Sequence, residues 1–313
     1  MMRLILRHET TLFALILFCF LVLSYQTQHF ATIENILNQG RFLTEVGIIA
    51  LIMTFVIVTG GIDLSVGSIL GLSAICLGVF WKNFGLPLPI ASLLAVAVGT
   101  AAGLMNGFII TRFRVPPLIA TLATLALYRG LAEGISQARS VRGYPDWFFV
   151  LGQGELWGIP TQLWLLLLFA ALTSFILGFT TWGRATYAIG ANETAARYSG
   201  IKVDKVKLLI YGASGFASGL AAVIFVSRVS TTRQDMGMGL ELDAITAVVL
   251  GGTSIFGGKG TVIGTIFGLI LIQVLKNGLS LSGVRSDGTI VAIGSILIIT
   301  LIISNLFNRN GDS

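Results

Sequence analysis

The sequence predicts an all-α polytopic membrane protein, and three observations carry that prediction. Of the 313 residues, 55% are hydrophobic and only 11% charged, with a mean hydropathy of +0.89, well outside the range of soluble globular domains. Apolar runs close to the roughly 20 residues needed to cross a hydrocarbon core recur from Thr11 to Phe307. Only short stretches of glycine, proline and clustered charge separate them. The chain therefore reads as one transmembrane domain over 1–313, with no length left for a sizeable soluble unit.

The elements follow in order. The opening MMRLILRHETTLFALILFCFLVLSYQTQHF has the basic flank and apolar stretch of a signal peptide. Ser24-Tyr25-Gln26 offers no small-x-small cleavage site, so the segment is expected to stay as a first helix over 11–25. Further segments are expected at 41–59, 64–81, 88–111, 116–137, 161–181, 206–228, 240–252, 260–281 and 288–307, about ten in all. The stretch 240–252 is too short to span and reads as a half-helix, and Gly60-Gly61 reads as a re-entrant break.

The net charge of +6 does not imply a nucleic-acid partner, because the basic residues sit in short segments between apolar runs. With ten crossings both termini share a side. That side receives Arg3, Arg7, Arg112, Arg114, Arg184, Arg197, Lys202, Lys205, Lys207, Lys259 and Arg309; the other receives eight basic residues, and Arg129 is left inside a span. Both termini are therefore expected in the cytoplasm.

Cys19 and Cys76 lie in apolar stretches and there are two histidines, so neither a disulfide framework nor a metal site is expected. No nucleophile–base–acid set or Gly-x-Ser-x-Gly elbow is present, which argues against an enzyme, and no cofactor is expected. Gly257-Gly258-Lys259 fails the phosphate-loop pattern, because Thr253 stands where glycine is needed and Gly260 where serine or threonine is needed. It reads instead as a glycine-rich reversal. In the loop 138–160, Trp147, Phe148, Phe149 and Trp157 read as an interfacial aromatic belt. The ladder Gly99, Gly103, Gly107 and the pairs Gly67/Gly71, Gly215/Gly219 and Gly264/Gly268 read as close helix-packing faces.

Two segments point to function. Within the basic loop 182–207, Asn192-Glu193-Thr194-Ala195-Ala196-Arg197-Tyr198-Ser199-Gly200 reads as a complete short helix. Asn192 caps it, Glu193 suits its positive end and Gly200 stops it. Two turns do not hold alone in water, so the helix must pack on other helix ends or on a cytoplasmic partner. In VIVTGGIDLSVGSILGL, 56–72, the acid Asp63 falls between apolar runs. Its structural reading is a cap for a helix starting inside the membrane, accepting from the amides of Ser65 and Val66. Its functional reading is solute contact or gating, with Ser65, Asn106, Thr121 and Thr124 as further candidates for the path.

GGIDLSVGS at 60–68, VPPLIATLATLALYRGLA at 115–132, GRATYAIGANETAARYSGI at 183–201 and AVVLGGTSIFGGKGTVIG at 247–264 together resemble the bacterial ribose-type ABC importer permeases, over nearly the whole chain. The resemblance implies an inner-membrane permease that moves a monosaccharide or sugar-like ligand. Its implied partners are a second permease subunit, as homodimer or heterodimer, an ABC ATPase and a periplasmic solute-binding protein, within membrane lipid. It further implies that 183–204 is a cytoplasmic coupling loop in which Asn192 to Gly200 seat on the ATPase. FVLGQGELWGIP and RQDMGMGLELDAITAVVLGG are similar to the rhamnose and autoinducer-2 members. A stand-alone ion-coupled carrier is the rival; it calls for charged relays inside spans, and only Asp63, Glu133, Arg129, Glu241 and Asp243 come near.

Overall fold

The computed structural model describes residues 2–285, 288–291, 294–295 and 298. The helices are α1 (Met2–Gln26), α2 (Ile33–Val58), α3 (Val66–Lys82), α4 (Leu88–Arg112), α5 (Pro117–Ser136), α6 (Val150–Gln153), α7 (Thr161–Phe179), α8 (Thr181–Ala191), α9 (Glu193–Tyr198), α10 (Val203–Val229), α11 (Leu240–Leu250) and α12 (Val262–Leu281). Among the described residues, seven helices are long and apolar enough to cross a membrane: α1, α2, α4, α5, α7, α10 and α12. The expected segment 64–81 is α3, an apolar helix of 17 residues, and 240–252 is the 11-residue α11. Most of the tenth expected segment, 288–307, falls outside the described residues.

Local chemistry sets the helix starts. Thr32, Thr180, Asn192 and Thr261 each accept a backbone amide of the first turn, capping α2, α8, α9 and α12. Pro117 opens α5 at a position where a missing N–H costs nothing. α8 falls where only a loop around one short helix was expected. Gly183 and Gly190 depress its propensity, and both are required by packing, since a Cβ at Gly190 would lie 1.8 Å from the Val58 carbonyl oxygen.

Two small ladders interrupt the all-α pattern. β1 (Val141–Arg142) pairs antiparallel with β4 (Thr231–Thr232), and β2 (Glu155–Leu156) pairs with β3 (Ile159–Pro160). Between them the aromatic residues divide. Trp157 is exposed, but Phe148 is buried against Tyr144, which stacks on Trp81 at 4.4 Å, so Phe148 belongs to the core rather than to a belt.

Helices α2 and α10 are the most enclosed spans, and α10 lies against α4 along the glycine ladder. A Cβ on Gly103 would stand 2.2 Å from the Tyr211 carbonyl oxygen, and one on Gly99 2.7 Å from that of Gly215, so the backbones touch. Gly264 and Gly268 admit α11 in the same way. Gly67 and Gly71 differ: they face the segment 234–241, whose Gly237 and Met236 carbonyls approach them directly.

With α3 and α11 counted, successive long helices alternate in direction and leave two distinct ends. At one end lie α8, α9, the reversal 251–261 and the break between α2 and α3. At the other lie β1 to β4, the segment 230–239 and the C-terminal turns of α12.

Candidate functional site

The break between α2 and α3 is built from backbone groups that need partners in an apolar surround. Gly60 takes φ +78°, and the amides of Thr59, Gly60 and Gly61 turn back onto the carbonyls of Phe55, Ile57 and Val56. The Gly258 amide crosses from the 251–261 reversal to the Val58 carbonyl at 2.9 Å. Asp63 is fully buried. Its Oδ1 accepts from the Ser65 amide at 3.0 Å and the Ser65 hydroxyl at 2.6 Å, and its Oδ2 accepts from the Ser214 hydroxyl of α10 at 2.8 Å. No bond from Val66 is found, which corrects the two-amide cap read from sequence: Asp63 spends its second oxygen on another helix.

The network continues outward. Asn106 of α4 donates to the Ser65 hydroxyl at 2.7 Å, and Tyr128 of α5 donates to the Asn106 side-chain oxygen at 3.1 Å and the Ala102 carbonyl at 2.9 Å. Thr121 donates to the Ile62 carbonyl at 3.0 Å, while Thr124 bonds only within its own helix. Of the residues singled out from sequence, Asp63, Ser65 and Asn106 therefore meet in one cluster, Thr121 braces its backbone and Thr124 stands apart. Ser214 and Tyr128 complete it, and neither stands out in the sequence because hydroxyls are common in membrane helices.

At the same end, α9 is held at both termini. Asn192 accepts from the Ala195 amide at 2.9 Å, Gly200 takes φ +84°, and the Ile201 amide returns to the Ala196 carbonyl. Ala196 is buried and seats the helix. Arg197 donates to Glu193 at 2.9 Å and grips Asp204 through both terminal nitrogens at 2.5 and 3.0 Å, while Lys207 donates to Glu193 at 2.5 Å. Burial pushes the Glu193 carboxyl up, but the bonds and charges of Lys207 and Arg197 outweigh it and hold it below its usual range. Glu193 and Arg197 thus tie α9 to the first turns of α10. Tyr198, 89% exposed, is the large side chain that points away.

The opposite end holds an open cavity of about 680 Å³ between α2, α10, α11 and α12. Three ion pairs line it: Arg228 with Glu45 at 2.7 Å, Arg233 with Asp235 at 2.5 Å and Lys276 with Asp243 at 2.5 Å. Glu45 is buried in the middle of α2, inside the expected segment 41–59, and sequence reading passed over it; a lone acid in an apolar run was the available signal. Arg129, the basic residue left within a span, donates to the Gln234 and Met236 carbonyls at 2.6 and 2.9 Å, which fixes the segment beneath the cavity.

Residues 32–305 match the family model described as "Branched-chain amino acid transport system / permease component". Among curated proteins, the chain is 42% identical over 272 residues to the ribose import permease protein RbsC of Bacillus subtilis, covering 86% of this chain and 84% of that one. It is 38% identical over 288 residues to RbsC of Haemophilus influenzae, covering 91% and 89%. It is 36% identical over 302 residues to the autoinducer 2 import system permease protein LsrD of Enterobacter sp., covering 94% and 91%. No solved structure matches it.

Proposed function

Because the chain belongs to this family of transport-system permease components, we propose that it forms the solute path of an ATP-driven importer for a monosaccharide or sugar-like small ligand. It is a multi-pass permease of the bacterial inner membrane. In the proposed assembly a separate ABC ATPase hydrolyses ATP, a second permease subunit completes the path, and a solute-binding protein delivers the ligand. The α9 end faces the cytoplasm and both termini lie on that side.

The observation that carries this reading is the mounting of α9. A capped two-turn helix is pinned by four charged side chains to the start of α10 and presents Tyr198 outward. Helix α10 then runs 27 residues, about 40 Å at 1.5 Å per residue, past the Asp63 cluster at Ser214 to the Glu45–Arg228 pair beside the far cavity. A force applied to residues 192–200 by a closing ATPase pair therefore reaches the opposite mouth through one rigid element. Asp63, Ser65, Asn106 and Thr121 form the joint at which α10 bears on the broken helix, and Thr124 lies on the α5 wall beside it.

Copurification tests the proposal. The tagged permease should bring down an ATPase, and Tyr198→Ala should lower its recovery about tenfold, the loss expected for a buried aromatic anchor at an interface. Yield of the permease itself should not change, because Tyr198 is 89% exposed. Full ATPase recovery and uptake in Tyr198→Ala would remove α9 from the coupling role.

A further inference from the structure

We infer that Arg129 and Glu241 are the two halves of a latch on the segment 230–239. Arg129 straps that segment across α3 by its carbonyls, and when the segment swings away the guanidinium pairs with the Glu241 carboxylate instead. The latch rests on the permease reading above: its two arrangements are states of the transport cycle.

The segment is jointed at both ends. It leaves α10 at Ser230, φ +59°, and enters α11 at Gly239, φ +82°, with Gly237 at φ +74° between them. Arg129 of α5 reaches it with one terminal nitrogen, which donates to the Gln234 and Met236 carbonyls at 2.6 and 2.9 Å. Among the described residues the guanidinium has no carboxylate partner. Tyr128, its neighbour in the chain, bonds Asn106 and the Ala102 carbonyl in the Asp63 cluster. Helix α5 thus meets the segment and the cluster through adjacent residues.

Glu241 is the acid left without a base. It stands in the first turn of α11, where Oε1 accepts from the Gly239 amide at 3.3 Å and Oε2 is buried with no hydrogen-bond partner among the described residues. Two glycines of α3 show how near the halves of the latch stand. A Cβ on Gly67 would lie 2.2 Å from Glu241 Oε2, and one on Gly71 would lie 2.8 Å from Arg129 Nη1. Residues four apart on a helix hold their Cβ positions about 5–6 Å apart, so acid and base sit on successive turns of one face of α3. The segment's backbone comes to the same glycines, with the Gly237 carbonyl at Gly67 and the Met236 and Gln234 carbonyls at Gly71. The neighbouring acids are already paired, Asp235 with Arg233 and Asp243 with Lys276. A guanidinium bonds a carboxylate more strongly than a neutral carbonyl, and a buried carboxylate oxygen without a donor is costly. The Nη1 that would close the pair is spent on the segment. Forming the pair releases the Gln234 and Met236 carbonyls, and holding them leaves Oε2 without a donor.

The test reads withdrawal of the segment as thiol labelling in the assembled transporter, with Cys19→Ser and Cys76→Ala as background. Met236→Cys, at a buried position of the segment, is compared with Met238→Cys, at an exposed one. Without nucleotide, Met236→Cys should label at least about tenfold more slowly, and ATP with vanadate should speed it. Arg129→Met should speed it about tenfold by freeing the segment. Glu241→Gln should slow it about tenfold, the difference between a charged and a neutral partner for one guanidinium, and should have no effect once Arg129→Met is present. Where Arg129→Met does not assemble, Arg129→Gln, which cannot form the ion pair, takes its place in the same cycle. A faster rate in Glu241→Gln overturns the inference, since Glu241 would then hold the segment through Gly239. So does an effect of Glu241→Gln that is equal, or absent, with and without Arg129. An unchanged rate in Arg129→Met, or one indifferent to ATP with vanadate in the background protein, also overturns it. Loss of the ATPase on purification would instead refute the permease reading, while the comparison without nucleotide still decides the latch.

Discussion

Replacing Asp63 with alanine removes the acceptor of three hydrogen bonds, from the Ser65 amide, the Ser65 hydroxyl and the Ser214 hydroxyl. Each buried donor left unpaired costs about 1–3 kcal/mol. The Ser214 hydroxyl can turn to its own helix, as Ser218 does in bonding the Ser214 carbonyl at 2.9 Å, so it recovers most of its loss. The Ser65 amide has no such escape. The expected cost of Asp63→Ala is therefore about 2–4 kcal/mol, a large share of the 5–15 kcal/mol typical of a folded domain. Asp63→Asn keeps Oδ1 for Ser65 and can donate to the Ser214 oxygen, so it should lose about 1 kcal/mol or less, as in the exchange of one charge-assisted bond for a neutral one. The assay is the yield and melting temperature of the detergent-purified complex, read beside solute uptake. Alanine at wild-type yield would show that the cluster contributes nothing to folding. An asparagine variant that assembles with the ATPase and does not transport would show that the negative charge itself acts in gating, against the joint proposed above.

Three further outcomes follow from the packing and the ion pairs. Gly103→Ala should cost about 1–3 kcal/mol by forcing α4 off α10, whereas Gly130→Ala, with nothing within 4 Å of the added methyl, should be neutral or stabilising; thermal melts of the two variants check this. Arg228→Ala strands buried Glu45 and should lower folded yield by about 3–5 kcal/mol, while the double change Glu45→Leu, Arg228→Met should recover yield without recovering uptake. The anchoring of α9 through Glu193 should be constant from pH 8 to about 5.5, because its carboxyl is held below the ordinary value of about 4.3, and anchoring is lost only as pH falls through that lower folded value. Protease nicking within 192–201 across this range measures it, and a rise in nicking between pH 7 and 6 would contradict the assignment.

Much of the architecture was legible because it depends on local chemistry. Seven of the ten expected segments are helices long and apolar enough to cross a membrane, since an apolar run of that length at 1.5 Å rise matches the membrane thickness. Asn192 and Gly200 fixed α9 because a cap and a left-handed stop act on their own turn of helix. The glycine ladder on α4 was readable for the same reason, since its spacing places every missing side chain on one face.

What the sequence could not decide is which polar group meets which. Asp63 bonds Ser214 across 151 residues and Glu45 bonds Arg228 across 183, and no spacing rule links positions so far apart. Glu193 and Arg197 read equally well as ligands for another protein until Lys207 and Asp204 were found beside them. The same holds for Gly67 and Gly71, which face the Gly237 and Met236 carbonyls, Glu241 at the start of α11 and Arg129 of α5 rather than a matching small-residue face of another helix. Hydrophobicity and helix capping are settled within a few residues of chain, so the sequence by itself determined the spans, the broken helix and the short capped helix. Pairing a buried charge depends on which helices adjoin in three dimensions, so the tertiary structure alone decided that Glu45 meets Arg228 and Asp243 meets Lys276, and that α10 links the two ends.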